Sequence, residues 1–195
     1  SGNRHNLEVD FFGGEPTMNF GVVKEVVEYG RSLEEKHNKH FRFTLTTNGV
    51  LLNDEIMEFA NKEMDNVVLS VDGRKEIHDY MRPTRNGKPS YDLIMPKFIR
   101  FAESRHQQKY YVRGTFTNRN LDFADLGFEQ ISMEPVVGQP EEPYAIQEKD
   151  LPQIFDEYDR LAKEMIKREK AGKGFNFFHF MIDLTGGPCV AKRLS

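Results

Sequence analysis

The spacing of apolar residues changes period several times along the chain, from two to between three and four and back again. Leu7 to Phe12 is a β-rich apolar run closed by Gly13-Gly14, which reads as a strand stopped by a turn. Behind Asn19, a residue suited to cap a helix, Val22, Val23, Val26, Val27 and Leu33 predict an inward face for a helix reaching Lys36. Phe41 to Thr47 alternates and is rich in aromatic and β-branched residues, a second strand ended by Asn48-Gly49. The unit then repeats. A helix capped by Asn53 or Asp54 runs to Met64, and a strand over Val67–Val71 is closed by Asp72-Gly73. A polar loop from Arg82 to Pro89 precedes a helix capped by Ser90 and ending near Ser104. Strands over Tyr110–Phe116 and Gln130–Glu134 follow. Last comes an amphipathic helix capped by Asp150, with Leu151, Ile154, Phe155, Tyr158, Leu161, Met165 and Ile166 on its apolar side.

Strands alternating with helices through crossover-length connections imply an α/β fold with parallel strands in right-handed βαβ units. Periodicity fits a doubly wound sheet and a barrel equally. In both, ligands gather at the carboxyl ends of the strands, and each of the five tips there carries a polar group or a glycine turn. Gly13 and Gly14 offer backbone amides to a carboxylate. Glu15 can accept from an ammonium, Arg113 can clamp a carboxylate, and Ser70 and Asp72 suit ribose hydroxyls. Arg113 interrupts an apolar strand, so it is expected to be a buried guanidinium that needs a partner. The plain alternatives remain open: Gly-Gly and Asn-Gly are common turn formers, and Ser70 to Gly73 can be a strand end with a local Asx turn.

Composition narrows the classes. The 195 residues hold 27 Lys and Arg against 31 Asp and Glu, a net charge of −4, which argues against a nucleic-acid or membrane-surface binder. No apolar run reaches the roughly 18 residues that a membrane span needs. The single cysteine, Cys189, excludes an internal disulfide framework and suggests a reducing, cytoplasmic setting. The six histidines show no zinc-like spacing, and His78 is expected to be a structural hydrogen-bonding residue. The aromatic stretch Phe175 to Met181 is expected to be core.

Taken in order, Phe11-Phe12-Gly13-Gly14-Glu15-Pro16, Thr46-Thr47-Asn48-Gly49 and Leu69-Ser70-Val71-Asp72-Gly73 with His78-Asp79 and Arg82-Pro83 resemble the radical S-adenosylmethionine superfamily. Further along, Gly87 to Asp92, Tyr111 to Phe116 and Gly186-Gly187-Pro188-Cys189 look like the peptide maturases with a C-terminal cysteine-rich (SPASM) region. Among those, the chain is most similar to enzymes that build thioether cross-links in six-cysteine ribosomal peptides. The resemblance implies a partial (β/α)6 TIM-like barrel truncated at both ends, over residues 1–185, with the start of the auxiliary-cluster region at 186–195. It implies S-adenosyl-L-methionine as cofactor, a [4Fe-4S] cluster in the parent enzyme, a one-electron reductant, and a cysteine-rich precursor peptide as substrate. A 5′-deoxyadenosyl radical would take hydrogen from a peptide carbon. By position, Gly13, Gly14 and Glu15 would meet the methionine ammonium. Thr47, Asn48, Ser70 and Asp72 would lie along the methionine and ribose, Arg113 would hold the carboxylate, and Glu134 would lie near the nucleoside.

Departures from the family pattern qualify this. The three-cysteine cluster loop is absent, and Cys189 would at most serve an auxiliary cluster, so the chain alone is expected to be inactive. The stretch Asn120 to Gly127 barely suffices for a βαβ crossover. Two rivals stay open: a non-catalytic peptide-binding α/β module, and another TIM-barrel enzyme. An aldolase of that second kind would place a Schiff-base lysine at a strand tip, and no predicted strand ends in lysine.

Overall fold

The computed structural model describes residues 2–120 and 128–181. Six strands form one sheet: β1 (Asn6–Phe11), β2 (His40–Thr47), β3 (Asn66–Ser70), β4 (Tyr110–Phe116), β5 (Gln130–Pro135) and β6 (Asn176–Phe177). They lie in sequential order and every neighbouring pair is parallel. That order settles what periodicity left open. A doubly wound sheet reverses its winding direction partway, whereas right-handed crossovers that never reverse keep their helices on one face. The result is an α/β partial barrel.

The helices are α1 (Phe20–His37), α2 (Asp54–Glu63), α3 (Lys75–Met81), α4 (Tyr91–Ser104) and α5 (Leu151–Lys170). The core lies between them and the sheet. Phe43, Leu45, Val67, Leu69, Val112, Ile131 and Met133 point from the strands, and Val27, Ile56, Ala60, Phe98, Phe101 and Leu161 from the helices. The expected inward faces of two helices prove too wide. Val23 and Val27 are buried, but Val22 and Val26 are 47% and 39% exposed, because α1 meets the sheet along one narrow stripe. On α5, Ile154 and Leu161 are buried while Leu151, Phe155 and Ile166 stand exposed.

Helix starts also differ from expectation. Asn53 caps α2, its Oδ1 accepting from Ile56 N at 2.9 Å. Asn19 and Asp150 make no side-chain cap bond to their helices. A short 3-10 turn over Pro16–Asn19 precedes α1 instead, and Glu15 caps it by accepting from Thr17 N. At α4 the Ser90 hydroxyl donates to Arg82 O. The capping is done from another helix: Asp79 Oδ1 accepts from Ser90 N and Tyr91 N, both at 2.8 Å. A cap of this kind stabilises a helix by about 1 kcal/mol, and here it also ties α3 to α4.

Two elements escaped the sequence pattern, the seven-residue α3 and the two-residue β6, both too short to show a period. The aromatic run around β6 is core only in part. Phe175 and Phe177 are buried, whereas Phe178, Phe180 and Met181 are exposed. The Gly186 to Cys189 motif and the short connection over 121–127 lie outside the described residues.

Opposite the helices, the sheet presents a concave face. Parallel register sets its side chains in rows: Asp10, Thr44 and Asn66 in one, Ser70, Arg113 and Ser132 in another.

Candidate functional site

At the carboxyl ends of β1 to β4 the concave face opens into a cavity of about 320 Å³. Gly13, Gly14 and Glu15 line it from β1, Thr47 and Asn48 from β2, Ser70 from β3 and Arg113 from β4. Three groups foreseen on separate strands, Glu15, Ser70 and Arg113, therefore share one wall.

Each is placed by local physics. Gly13 and Gly14 have φ of 83° and 46°, the left-handed region that favours glycine. A Cβ on either would meet nothing within 4 Å, so the turn itself, not crowding, calls for glycine. Glu15 is heavily bonded. Its Oε1 accepts from Thr17 N, the Thr17 hydroxyl and the Thr47 hydroxyl, and its Oε2 accepts from Asn48 N at 2.7 Å. The carboxylate thus staples the first two strand tips together, and Oε2 keeps one lone pair for a ligand donor. Thr47 is buried, and its hydroxyl also accepts from Gly49 N at 3.0 Å. Asn48 Oδ1 accepts from Val50 N in an Asx turn.

Asp72 stands behind the wall rather than in it. It is buried, and it accepts from Arg82 Nε at 2.6 Å, Arg82 Nη2 at 3.2 Å and Thr115 N at 2.9 Å. Its carboxylate aims the Arg82 guanidinium, which lines the cavity together with Thr46, Thr115 and Phe12. Arg82 and Thr115 are site residues that the sequence reading did not single out. Strand alternation gives the signal for Thr115, since a residue two beyond Arg113 shares its face. Arg82 caps the C-terminal end of α3, where no alternation applies, and its only signal was its place in the Arg82-Pro83 motif.

His78 braces this arrangement. It is buried; its Nδ1 accepts from Asp72 N at 3.2 Å, and its Nε2 faces the Ser90 hydroxyl at 3.0 Å. Burial, reinforced by the Arg82 charge and only partly opposed by Asp72, holds its pKa below the ordinary 6.5. A neutral ring with a bare Nδ1 is what the Asp72 N–H requires, as expected of a structural histidine.

Arg113 corrects one expectation. It is exposed, not buried, because it points into the open concave face. No described residue hydrogen-bonds or ion-pairs with its guanidinium, and none hydrogen-bonds the Ser70 hydroxyl. These two groups keep their full capacity for a ligand.

Glu134 lies in an adjoining cavity of about 350 Å³, with Asn66, Tyr111 and Ser132, and Arg113 belongs to both. Burial would raise the Glu134 pKa. The Ser132 hydroxyl at 2.6 Å, His179 at 3.3 Å and the Arg113 charge outweigh it and hold the carboxyl below the ordinary carboxylate value.

The first cavity offers groups that could hold a zwitterion: an acceptor at Glu15, cations at Arg82 and Arg113, and, among the described residues, an unbonded hydroxyl at Ser70. An iron–sulfur cluster finds no such fit. The chain has one cysteine, and among the described residues no group of three or more His, Cys, Asp or Glu side chains can hold a metal. Cys189, considered for that role, is outside the described residues. No helix among the described residues is long and apolar enough to cross a membrane.

Comparison with known proteins gives a consistent picture. The sequence profile of the Radical SAM superfamily matches residues 4–106, just over half of the chain. The cysteine-type anaerobic sulfatase-maturating enzyme of Clostridium novyi is 28% identical over 169 residues, 77% of this chain and 44% of that one. The radical SAM cyclopropyl synthase TigE of Paramaledivibacter caminithermalis is 26% identical over 131 residues, 64% of this chain and 26% of that one. Among solved structures, anSMEcpe with bound AdoMet and Kp18Cys peptide superposes with a TM-score of 0.75 at 19% identity, over 91% of this chain and 51% of that one. The chain thus spans less than half the length of these curated relatives.

Proposed function

The chain belongs to the radical S-adenosylmethionine superfamily and is related to its protein and peptide maturases; from that premise we propose that it is the cofactor-binding part of a peptide maturase. The cofactor is S-adenosyl-L-methionine, and the substrate is a ribosomally made, cysteine-rich precursor peptide in which a thioether cross-link forms. When bound, the cofactor supplies the radical that takes hydrogen from a peptide carbon. The cluster that reduces it, the one-electron donor and a cytoplasmic location belong to the parent enzyme in this reading, with Cys189 at the start of an auxiliary-cluster region.

The observation that carries the reading is the convergence of Glu15, Ser70 and Arg113 on one cavity with complementary free valences. Glu15 Oε2 and the Gly13 and Gly14 backbone take the methionine ammonium. Arg113, seconded by Arg82, takes the carboxylate in charge-assisted hydrogen bonds. Thr47 and Asn48 shape the wall along the methionine, and Ser70 donates to or accepts from a ribose hydroxyl. Asp72 serves at one remove, by orienting Arg82.

The test is isothermal titration of S-adenosyl-L-methionine into the 195-residue chain, without iron. Binding is expected, and Arg113→Ala should weaken it by about tenfold or more, as the loss of a charge-assisted hydrogen bond predicts. Heat of binding that is absent in the folded wild type, or identical in Arg113→Ala, refutes the reading. Reconstitution with iron and sulfide should leave the chain without a stoichiometric cluster.

A further inference from the structure

Of the six histidines, His78 alone is buried, and its ring joins both members of one ion pair. Nδ1 accepts from Asp72 N at 3.2 Å. On the other side the Ser90 hydroxyl spends its hydrogen on Arg82 O, so toward His78 Nε2, 3.0 Å away, its oxygen acts as an acceptor. These contacts demand one state of the ring, neutral with its hydrogen on Nε2. The backbone adds a third link, Arg82 N donating to His78 O at 2.7 Å. His78 thereby holds the backbone of Asp72 through one ring nitrogen and that of Arg82 through the other. Between them the Asp72 carboxylate takes the Arg82 guanidinium at 2.6 and 3.2 Å. Of this group, Arg82 is the residue that lines the first cavity.

A proton on Nδ1 breaks this arrangement twice. The new N–H faces the Asp72 N–H, donor against donor, so that bond is lost. The ring also becomes a second cation competing with Arg82 for an acid. The charged and titratable groups around it are few: Asp72 from the tip of β3, Asp79 and Arg82 from α3, and Tyr91 from α4, its ring edge-on at 5.8 Å. Asp79 is engaged elsewhere, its Oδ1 accepting from Ser90 N and Tyr91 N. Asp72 is therefore the acid that a charged imidazole draws on. Every bond it turns toward the ring is withdrawn from Arg82 or from Thr115 N, its other donor. The Arg82 side chain, 35% exposed, then loses what aims it. Burial is the largest influence on the ring and keeps it neutral down to mild acid, below the ordinary 6.5.

We propose that His78 is a positioning residue for the cofactor and a proton-sensitive clamp: neutral, it holds Arg82 over the first cavity, and protonated, it draws Asp72 away and lets Arg82 go. The inference rests on the cofactor reading of that cavity and adds its regulation by pH. His78 touches no ligand itself and acts only through Asp72 and Arg82. Cofactor affinity is whole while the ring is neutral and falls as the ring takes up its proton.

The experiment follows the free, isotopically labelled 195-residue chain by NMR through a pH titration, with S-adenosyl-L-methionine affinity measured by calorimetry across the same range. The Asp72 amide and the Arg82 Nε–H should shift with the same midpoint as the His78 ring. Affinity should fall about tenfold between about pH 7 and 5, the loss of one charge-assisted hydrogen bond. One proton allows no more than about tenfold per pH unit. His78→Asn keeps an acceptor for Asp72 N but cannot charge, so it should bind nearly as wild type at the upper pH and show no fall. A role confined to stability would leave this profile unmoved. Wild-type affinity that stays flat while the His78 ring titrates overturns the proposal and leaves the cofactor reading standing. Equal falls in wild type and folded His78→Asn overturn it as well. If that variant does not fold, Asp72 and Arg82 signals that ignore the His78 midpoint in wild type overturn it instead. Signals that titrate together in a chain that binds the cofactor at no pH uphold the clamp and refute the cofactor reading.

Discussion

Two arginines on opposite faces of one sheet show how differently the fold treats the same side chain. Arg105, on the helix side, is 9% exposed and donates to Ala60 O, Met64 O and Lys109 O. It closes the carboxyl end of α2, where the helix leaves carbonyls without partners. Arg113, on the concave side, has no hydrogen-bond partner among the described residues and lines two cavities. A buried cation must be paid for with bonds made at folding. A cation held unpaired at strand tips keeps its bonding capacity for a ligand.

The comparison is sharpest in stability. Arg105→Ala strips donors from buried carbonyls and should cost about 3 kcal/mol, read as a lowered denaturant midpoint at unchanged slope. An unchanged midpoint would mean that these bonds are dispensable. Gly49→Ala comes next. Gly49 has φ of 77°, and a Cβ there would sit 2.3 Å from the Phe98 ring, so backbone strain and overpacking add. We expect a loss of about 2 kcal/mol, with a smaller penalty expected if Phe98→Leu is made in the same chain.

The third effect depends on pH. His78 has a folded pKa depressed mainly by burial, so its contribution to stability is whole above 6.5. That contribution is lost as pH falls below this value, since the unfolded state then binds the proton first. The slope is at most about 1.4 kcal/mol per pH unit for one proton. Unfolding measured at pH 5.5 and 7.5 should show this difference in wild type and a smaller one in His78→Asn, which keeps an acceptor for Asp72 N. Equal pH dependence in the two proteins would discard the assignment. The smallest effect is expected of Arg113→Ala, whose stability should stay within about 0.5 kcal/mol of wild type while cofactor binding falls. A large loss of stability there would erase the contrast between the two arginines.

Much of the fold was legible in the chain because its long elements repeat a period and end on turn chemistry. All five expected strands are present, as are the helices after Asn53 and Ser90, and Glu15, Ser70 and Arg113 were foreseen at strand tips. What escaped was decided at a distance. Asp79 caps α4 from α3, eleven residues before the N–H group of Ser90 that it serves. Asp72 reads locally as a ribose ligand, yet it meets Arg82 and Thr115 once the strands align. The relay from Tyr158 through His179 to Glu134 joins α5 to β5 and has no trace in spacing.

Sequence alone determined the long strands and helices, the turns that end them and the polar groups at the strand ends, because those follow from local conformational preference and burial period; α3 and β6 are too short to show one. Periodicity left barrel and doubly wound sheet level, although the motif resemblance implied the barrel. The strand order itself appears only in the tertiary structure, since it is a matter of which neighbours pair. The tertiary structure also decided which polar groups are spent on each other and which stay free, because a hydrogen-bonding valence counts as available only after every neighbour has been placed around it.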